Sequence, residues 1–397
     1  MMNTKNTKKQ LAHYVVYFEV LNDLYKQTIN YRQIHKSSEI VKSSVLLQNS
    51  PSSLLKINNM KYSRLLLALI ILINTCIIAN AQAPEKIHLL NTLHIASAGG
   101  WDYIAVQPNS NKLFVCHGGQ VNILDKTTGD SLGIISNTTG VHGIAFVPSL
   151  NKGYTSNGRL NNITVFDLKT NAILSQIAVG QNPDAIFYDD FSKKIITCNG
   201  GSNDLSIVDP VTEKVVATIA VGGKPETAVS DNAGKIFVNI EDKNKIVVVN
   251  ITKNTVEKHW SILPGEAPTG LAYDVKNKRL FAGCSDNKLL MILNAETGSI
   301  VGKLPIGAGC DGVAYDAVQK LIYTSNGEGT MSVIKETTKD KFVVAATITT
   351  KKTARTIAVD ESTHKIYLPA ADLGPTPSDG SWPKTIPGTF QILVFGQ

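Results

Sequence analysis

PDAIFYDDFSKKIITCNGGSNDLSIVDPVTEKVVATIAVGGK, residues 183–224, reads as four short apolar runs separated by turn residues. The runs DAIFYD, KKIITCN, DLSIVDP and KVVATIAVG carry the Val and Ile content of strands, and the breaks between them carry Asp, Ser, Asn, Gly and Pro. Strands this apolar suit sheets packed on both faces. The same unit recurs along the chain. One column of equivalent positions holds Asp102, His142, Asp184, Glu226, Thr269, Asp311 and Arg355, at successive spacings of 40, 42, 42, 43, 42 and 44 residues. A unit of this size cannot bury its own apolar face and must stack on its neighbours. Period and strand content together predict an all-β fold, a seven-bladed β-propeller of four-stranded blades.

The ends of the repeat region predict how the ring closes. Blades starting at Trp101, Val141, Pro183, Pro225, Pro268 and Cys310 have all four runs. The last, from Ala354, has only RTIAVD, HKIYLPA and FQILVFG before the chain ends. The missing strand is available at the other end as IHLLNTLHI, Ile87 to Ile95. Pairing it with the C-terminal blade would remove two open sheet edges. One insertion breaks the repeat, at Ala370 to Thr389, with Pro375, Pro377, Pro383 and Pro387 stiffening it and Trp382 offering an apolar surface. A loop of this length inside a compact domain serves as a lid or binding loop, or as a plug over the seam.

The N-terminal part reads differently. Met60 is followed by Lys61 and Arg64, an apolar run from Leu65 to Ile73, and Ala79-Asn80-Ala81, a small-x-small cleavage site. Residues 60–81 are expected to be a signal peptide, too short and too interrupted by Asn74 to span a membrane. Residues 1–59 would then be an upstream extension, with Met60 as the start of translation, and 82–397 the propeller. The expected location is the periplasm, cell surface or extracellular space. Of the formal charge of +7, residues 1–59 carry +5 and residues 60–81 carry +2, which leaves zero for 82–397. Bulk charge therefore argues against a nucleic-acid partner. Cys116, Cys198, Cys284 and Cys310 match no zinc or Cys-x-x-Cys spacing. They read as buried thiols, with a Cys284–Cys310 disulfide as the alternative.

In a propeller, strand a lines the central channel, so the column should ring one channel mouth. Four carboxylates, an imidazole and a guanidinium would then meet there. Carboxylates crowded at a narrow mouth repel one another, which a cation or a polyhydroxylated ligand would relieve. Asp184, Glu226 and Asp311 are the metal candidates, and a divalent cation the candidate cofactor. The bland alternative is that these groups are simply solvated or bonded to backbone N–H. His117 replaces, in blade 1, the Asn157, Asn199 and Asn326 of blades 2, 3 and 6. With His142 and Asp102 it could bind a metal or supply a base, although a lone surface histidine is the simpler explanation. Repeated Asn before Gly is expected to be structural. Gly307 to Gly312 fits a dinucleotide fingerprint by letter, but no helix follows it.

The segments YTSNG (154–158), ITCNG (196–200) and YTSNG (323–327), with NDLSIVDPVTEKVVATIAVGGKP after the second, resemble the YVTN β-propeller repeat family. The resemblance extends over residues 86–397. Blades 4 and 5 depart, with Asn239-Ile240 and Gly283-Cys284 where Thr-x-Asn would stand. It implies an exported or surface-located seven-bladed propeller, related in shape to ligand-binding propellers and to some lactonases and quinoprotein subunits. It transfers no catalytic mechanism. The expected function is a binding or scaffold protein that recognises an envelope protein, glycan or small molecule at the mouth. The alternative is a metal-dependent hydrolase of lactone type.

Overall fold

A computed structural model describes residues 86–97, 99–378 and 383–397. The expected signal peptide and upstream extension, and Trp382, lie outside the described residues. Seven four-stranded antiparallel sheets account for the chain from His88 onward. In blade 3 the strands are Pro183–Asp189 (a), Lys194–Asn199 (b), Asp204–Asp209 (c) and Lys214–Ala220 (d). Each inner strand a touches strand a of the next blade, and Ala358–Asp360 of blade 7 returns to Trp101–Val106 of blade 1. The ring is a seven-bladed propeller.

Closure follows the expected route. His88–His94 pairs antiparallel with Gln391–Gly396, His94 opposite Gln391 and His88 opposite Gly396, and so supplies strand d of the C-terminal blade. The cores lie between blades. Ile196, Leu205 and Ile207 of blade 3 pack against Ile236, Val238 and Val247 of blade 4. At the seam, Tyr367, Ile392 and Val394 of blade 7 pack against Leu113, Val115 and Leu124 of blade 1. Each such side chain contributes about 1.5–3 kcal/mol by leaving water. Strands b and c are buried on both faces, while strand d of blade 3 is largely exposed. All four cysteines of this region are free and buried, so Cys284 and Cys310 are not bridged.

Thr-x-Asn proves to be a side-chain clasp between strands b and c. In blade 3, Thr197 Oγ1 donates to Asn199 Oδ1 (3.0 Å), and Asn199 Nδ2 donates to Asp204 Oδ1 (2.7 Å) and Ser206 Oγ (2.9 Å). Asn157 and Asn326 make the same set in blades 2 and 6. The amide holds side-chain oxygens of the facing strand, a hydroxyl in each case among them, rather than backbone groups. The residue between Thr and Asn instead reaches the next blade: Ser325 Oγ donates to Ala354 O at 3.0 Å. Asn239 takes that role in blade 4, donating to Gly270 O at 3.1 Å.

Candidate functional site

The column residues sit second in strand a of blades 1 to 6 and just ahead of it in blade 7. In those six blades the a–b ladder slips here, as between Pro183 and Ile186 or Cys310 and Gly312. A bulge at this point re-aims the side chain away from the regular alternation of the strand. The result is a ring of polar groups that bond from blade to blade.

His142 Nδ1 donates to Asp102 Oδ2 at 2.5 Å and lies 3.7 Å from Asp184 Oδ1. Asp184 is 8% exposed, and its Oδ1 is buried with no hydrogen-bond partner among the described residues. Arg355 donates to Asp311 Oδ2 and to Trp101 O, and lies 3.9 Å from Asp102 Oδ1. Lys224 binds Glu241 and approaches Glu226 Oε2 at 3.3 Å. Asp102, Glu226 and Asp311 thus each have a cationic group within 3.3 Å of an oxygen, whereas the nearest to Asp184 Oδ1 is His142 Nδ1 at 3.7 Å.

Burial, followed by the charge of Asp102, pushes the Asp184 carboxyl up to about 7, against the pull of His142. Burial also raises Asp311, to about 6, opposed by Arg355 and reinforced by Asp102. Glu226 is raised by burial and by Asp184, with Lys224 opposing. Burial works against the charge of His142, but the Asp102 hydrogen bond and the nearby Asp184 outweigh it and raise its pKa. The mouth therefore stores carboxylates in surroundings that disfavour their ionisation.

Not every predicted residue joins the ring. Thr269 is 5% exposed and donates to Cys310 O at 2.5 Å, a blade-to-blade link. His117 is 1% exposed, with both ring nitrogens occupied: Nδ1 with Ser97 Oγ at 2.7 Å and Nε2 with Gly99 O at 3.1 Å. It stacks on Phe390, ring centroids 3.9 Å apart. Burial lowers its pKa. His117 ties the entry of the chain to the base of the long insertion and is not a free ligand. The insertion itself is braced by a Leu373–Thr385 bridge and by Gly374 N donating to Lys384 O at 2.8 Å. Phe390 at its base seals the seam against Trp101.

Two open cavities flank the ring. One, of about 710 Å³, is lined by Trp101, Glu241, Asp311, Glu328, Arg355 and Thr385 of the insertion. The other, of about 620 Å³, is lined by Asp102, His142, Arg159, Asn182 and Arg355. Gly100, Trp101 and Arg355 line both. Beneath the ring, the Tyr103 hydroxyl of blade 1 meets Thr227 Oγ1 of blade 4 at 3.2 Å, bridging the channel. The equivalent positions elsewhere are Gly143, Ala185, Thr227, Gly270, Gly312 and Thr356, all small. At Gly270 a Cβ would lie 2.6 Å from Val313 N, so the blades approach too closely there for a side chain. One large residue among six small ones was the sequence signal for Tyr103. Lys224 and Glu241 carry no comparable signal.

No family model and no curated protein matches the sequence. Among solved structures the chain is similar to Kuenenia stuttgartiensis hydrazine synthase, with a TM-score of 0.61 at 15% identity, covering 72% of this chain and 96% of that one. At that identity the likeness speaks for the fold alone. Among the described residues no helix is long and apolar enough to cross a membrane.

Proposed function

We propose that this chain is an exported binding propeller of YVTN type, and that it takes its ligand at the channel mouth without turning it over. The observation that carries this reading is the state of the mouth carboxylates. Asp184, Glu226 and Asp311 are sunk into the ring with raised pKa values, beside cavities large enough for a small polar molecule. Buried polar groups left short of donors are costly to the free protein, and a ligand supplying cationic or hydroxyl groups recovers that cost. Tyr103 blocks the way through, which suits a blind site entered from one face better than a conduit. The leader expected from the sequence of residues 60–81 and the repeat resemblance support an envelope or extracellular setting, with a glycan, small molecule or envelope protein as partner.

A second reading, hydrolysis of lactone type, draws on the Asp102–His142 bond, since an oriented imidazole can serve as a base. Turnover of a lactone that disappears with chelator would favour it over binding alone. The test of the main reading is a thermal-shift screen of the metal-stripped full chain against sugars, polyamines, lactones and nucleotides. A ligand at 100 times its dissociation constant stabilises by about 2.7 kcal/mol. The expected result is a shift lost in the Glu226→Gln, Asp311→Asn double variant. A shift that the double variant retains in full would remove the mouth as the binding face.

A further inference from the structure

The mouth acids do not form one undifferentiated ring. Arg355 takes Asp311, and Lys224 takes Glu226 together with Glu241. The sequence-based metal set of Asp184, Glu226 and Asp311 is therefore not the set that converges. Instead Asp102, His142 and Asp184, from three successive blades, each place one ligand-type atom within 4.8 Å of the others. We propose that these three residues hold a divalent transition-metal ion, Zn²⁺ by preference, at the rim of the channel mouth. This deepens the reading of the mouth as a binding face and rests on it.

Two independent features point the same way. The first is convergence, with Asp102 Oδ2, His142 Nδ1 and Asp184 Oδ1 separated by 2.5 and 3.7 Å across the imidazole nitrogen. The second is the Asp184 Oδ1 oxygen, buried and without a hydrogen-bond partner among the described residues, on a residue 8% exposed. The single Nδ1 proton is spent on Asp102, so Asp184 Oδ1 is left facing the trio without a donor. A cation that displaces the shared proton satisfies all three atoms at once, with Asp102 Oδ2 and His142 Nδ1 moving apart from 2.5 Å to the roughly 3.3 Å that tetrahedral ligands about 2.0 Å from zinc keep. Arg355 approaches the other Asp102 oxygen, Oδ1, at 3.9 Å, and leaves Oδ2 to the metal.

The donor set decides the metal. One imidazole nitrogen and two carboxylate oxygens match the three-ligand, one-open-position pattern of zinc, whereas Ca²⁺ takes six to eight oxygens. Asp102 and His142 also line the cavity shared with Asn182 and Arg159, from which water or a ligand oxygen would complete the shell. Binding needs the Nδ1 lone pair: an imidazolium His142 releases its Nδ1 proton to bulk solvent and keeps the one on Nε2, and a neutral ring moves the Nδ1 proton to Nε2, so that a neutral imidazole and two carboxylates bind the ion. Affinity should therefore rise with pH.

The test is calorimetric titration of the metal-stripped full chain with Zn²⁺, Mn²⁺ and Ca²⁺, with Co²⁺ absorption as the reporter of geometry. The expected result is one Zn²⁺ per chain, weakened on the order of 100-fold in Asp184→Asn and separately in His142→Ala, and unchanged in Asp190→Asn, an exposed acid paired with Lys193 away from the mouth. Far-UV circular dichroism checks that each variant folds, and Asp102→Asn stands in for either that does not. Zn²⁺ binding of equal strength in all these variants would assign it to other histidines and overturn the proposal, as would no binding at all. If Zn²⁺ fails to bind while an organic ligand still shifts the melting temperature through the mouth, the metal site falls and the binding reading stands. If Zn²⁺ binds at the trio and no organic ligand shifts the protein, the reverse holds.

Discussion

Acids lie at both ends of strand a, and their surroundings are opposite. Away from the mouth, Asp189, Asp274, Asp316 and Asp360 close the strand at 0, 2, 2 and 4% exposure. Asp360 accepts from Ser362 N (3.0 Å), Ser362 Oγ (2.7 Å), Thr363 Oγ1 (2.8 Å) and Lys126 Nζ (2.7 Å). Asp316 accepts from Val318 N, Gln319 N and His364 Nδ1. At the mouth, Asp184 and Glu226 have side chains only 12% exposed, yet Asp184 Oδ1 has no donor and Glu226 Oε2 has only the Lys224 ammonium at 3.3 Å. Depth is similar and satisfaction is not. Burial of a charged residue therefore says little by itself, and the count of its donors separates a turn-closing acid from one held for a ligand.

The comparison breaks most visibly if the two classes respond alike to mutation. Asp360→Ala should cost about 3 kcal/mol, because it strands buried donors and the Lys126 ammonium. Asp184→Asn, at pH 8 and without metal, should lie within about 1 kcal/mol of wild type or above it, since it removes a charge that has no donor to lose. Urea midpoints measure both. A loss in Asp184→Asn equal to that in Asp360→Ala would make the mouth acid structural.

Titration sharpens the same contrast, because the two ends act in different pH windows. Asp311 is raised to about 6 from an ordinary value near 3.8, so the folded state holds its proton more tightly than the unfolded chain. Its contribution is present below about pH 4 and lost as pH rises through 6, on the order of 3 kcal/mol. Burial would raise Asp360 too, but Lys126, Ser362 and Thr363 outweigh it and hold the carboxyl down to about 2. That contribution is present above pH 4 and lost as pH falls towards 2. Thermal unfolding from pH 2 to 8 should show both limbs, with the upper one flattened in Asp311→Asn. An unchanged upper limb in that variant would contradict the assignment.

The architecture was legible because it rests on repetition. Seven units, one incomplete, and a spare strand at Ile87–Ile95 fix both blade number and closure. The column at the mouth was legible for the same reason, and its pairings were not. Which acid meets Arg355 or Lys224 depends on rotamers and on the bulge after each column position, and no spacing encodes these. His117 was misplaced because it shares a repeat position with Asn157 and Asn199; its role is set by Ser97, Gly99 and Phe390, which lie in irregular segments outside the repeat. The Thr-x-Asn clasp was half legible: its structural nature followed from recurrence, and its hydroxyl partners on strand c did not. Asn199→Ala should cost about 1–2 kcal/mol through loss of its bonds to Asp204 and Ser206. Blade 4 has Ile240 at that position and is held by Asn239 instead, and its strand c, Lys245–Asn250, carries no hydroxyl, so Ile240→Ala should read out as lost apolar burial alone.

The smallest effect tests the floor of the site. Burial raises the Tyr103 pKa, and Asp184, Glu226, Asp102 and Asp311 raise it further, so the phenol remains a neutral donor across the ordinary pH range. Its hydroxyl makes one bond across the channel, to Thr227 Oγ1. Tyr103→Phe keeps the ring that fills the space left by the small residues of the other blades and removes only that bond, so the stability loss should be about 1 kcal/mol or less. Zn²⁺ affinity should stay within about threefold of wild type, because the phenyl ring still closes the channel beneath the trio. A loss of several kcal/mol would instead mean that the bridge, and not the closure between first and last blades, fixes the spacing of the ring. The mouth acids would then owe their separation to Tyr103, and their lack of donors would be a consequence of channel closure rather than a mark of the ligand.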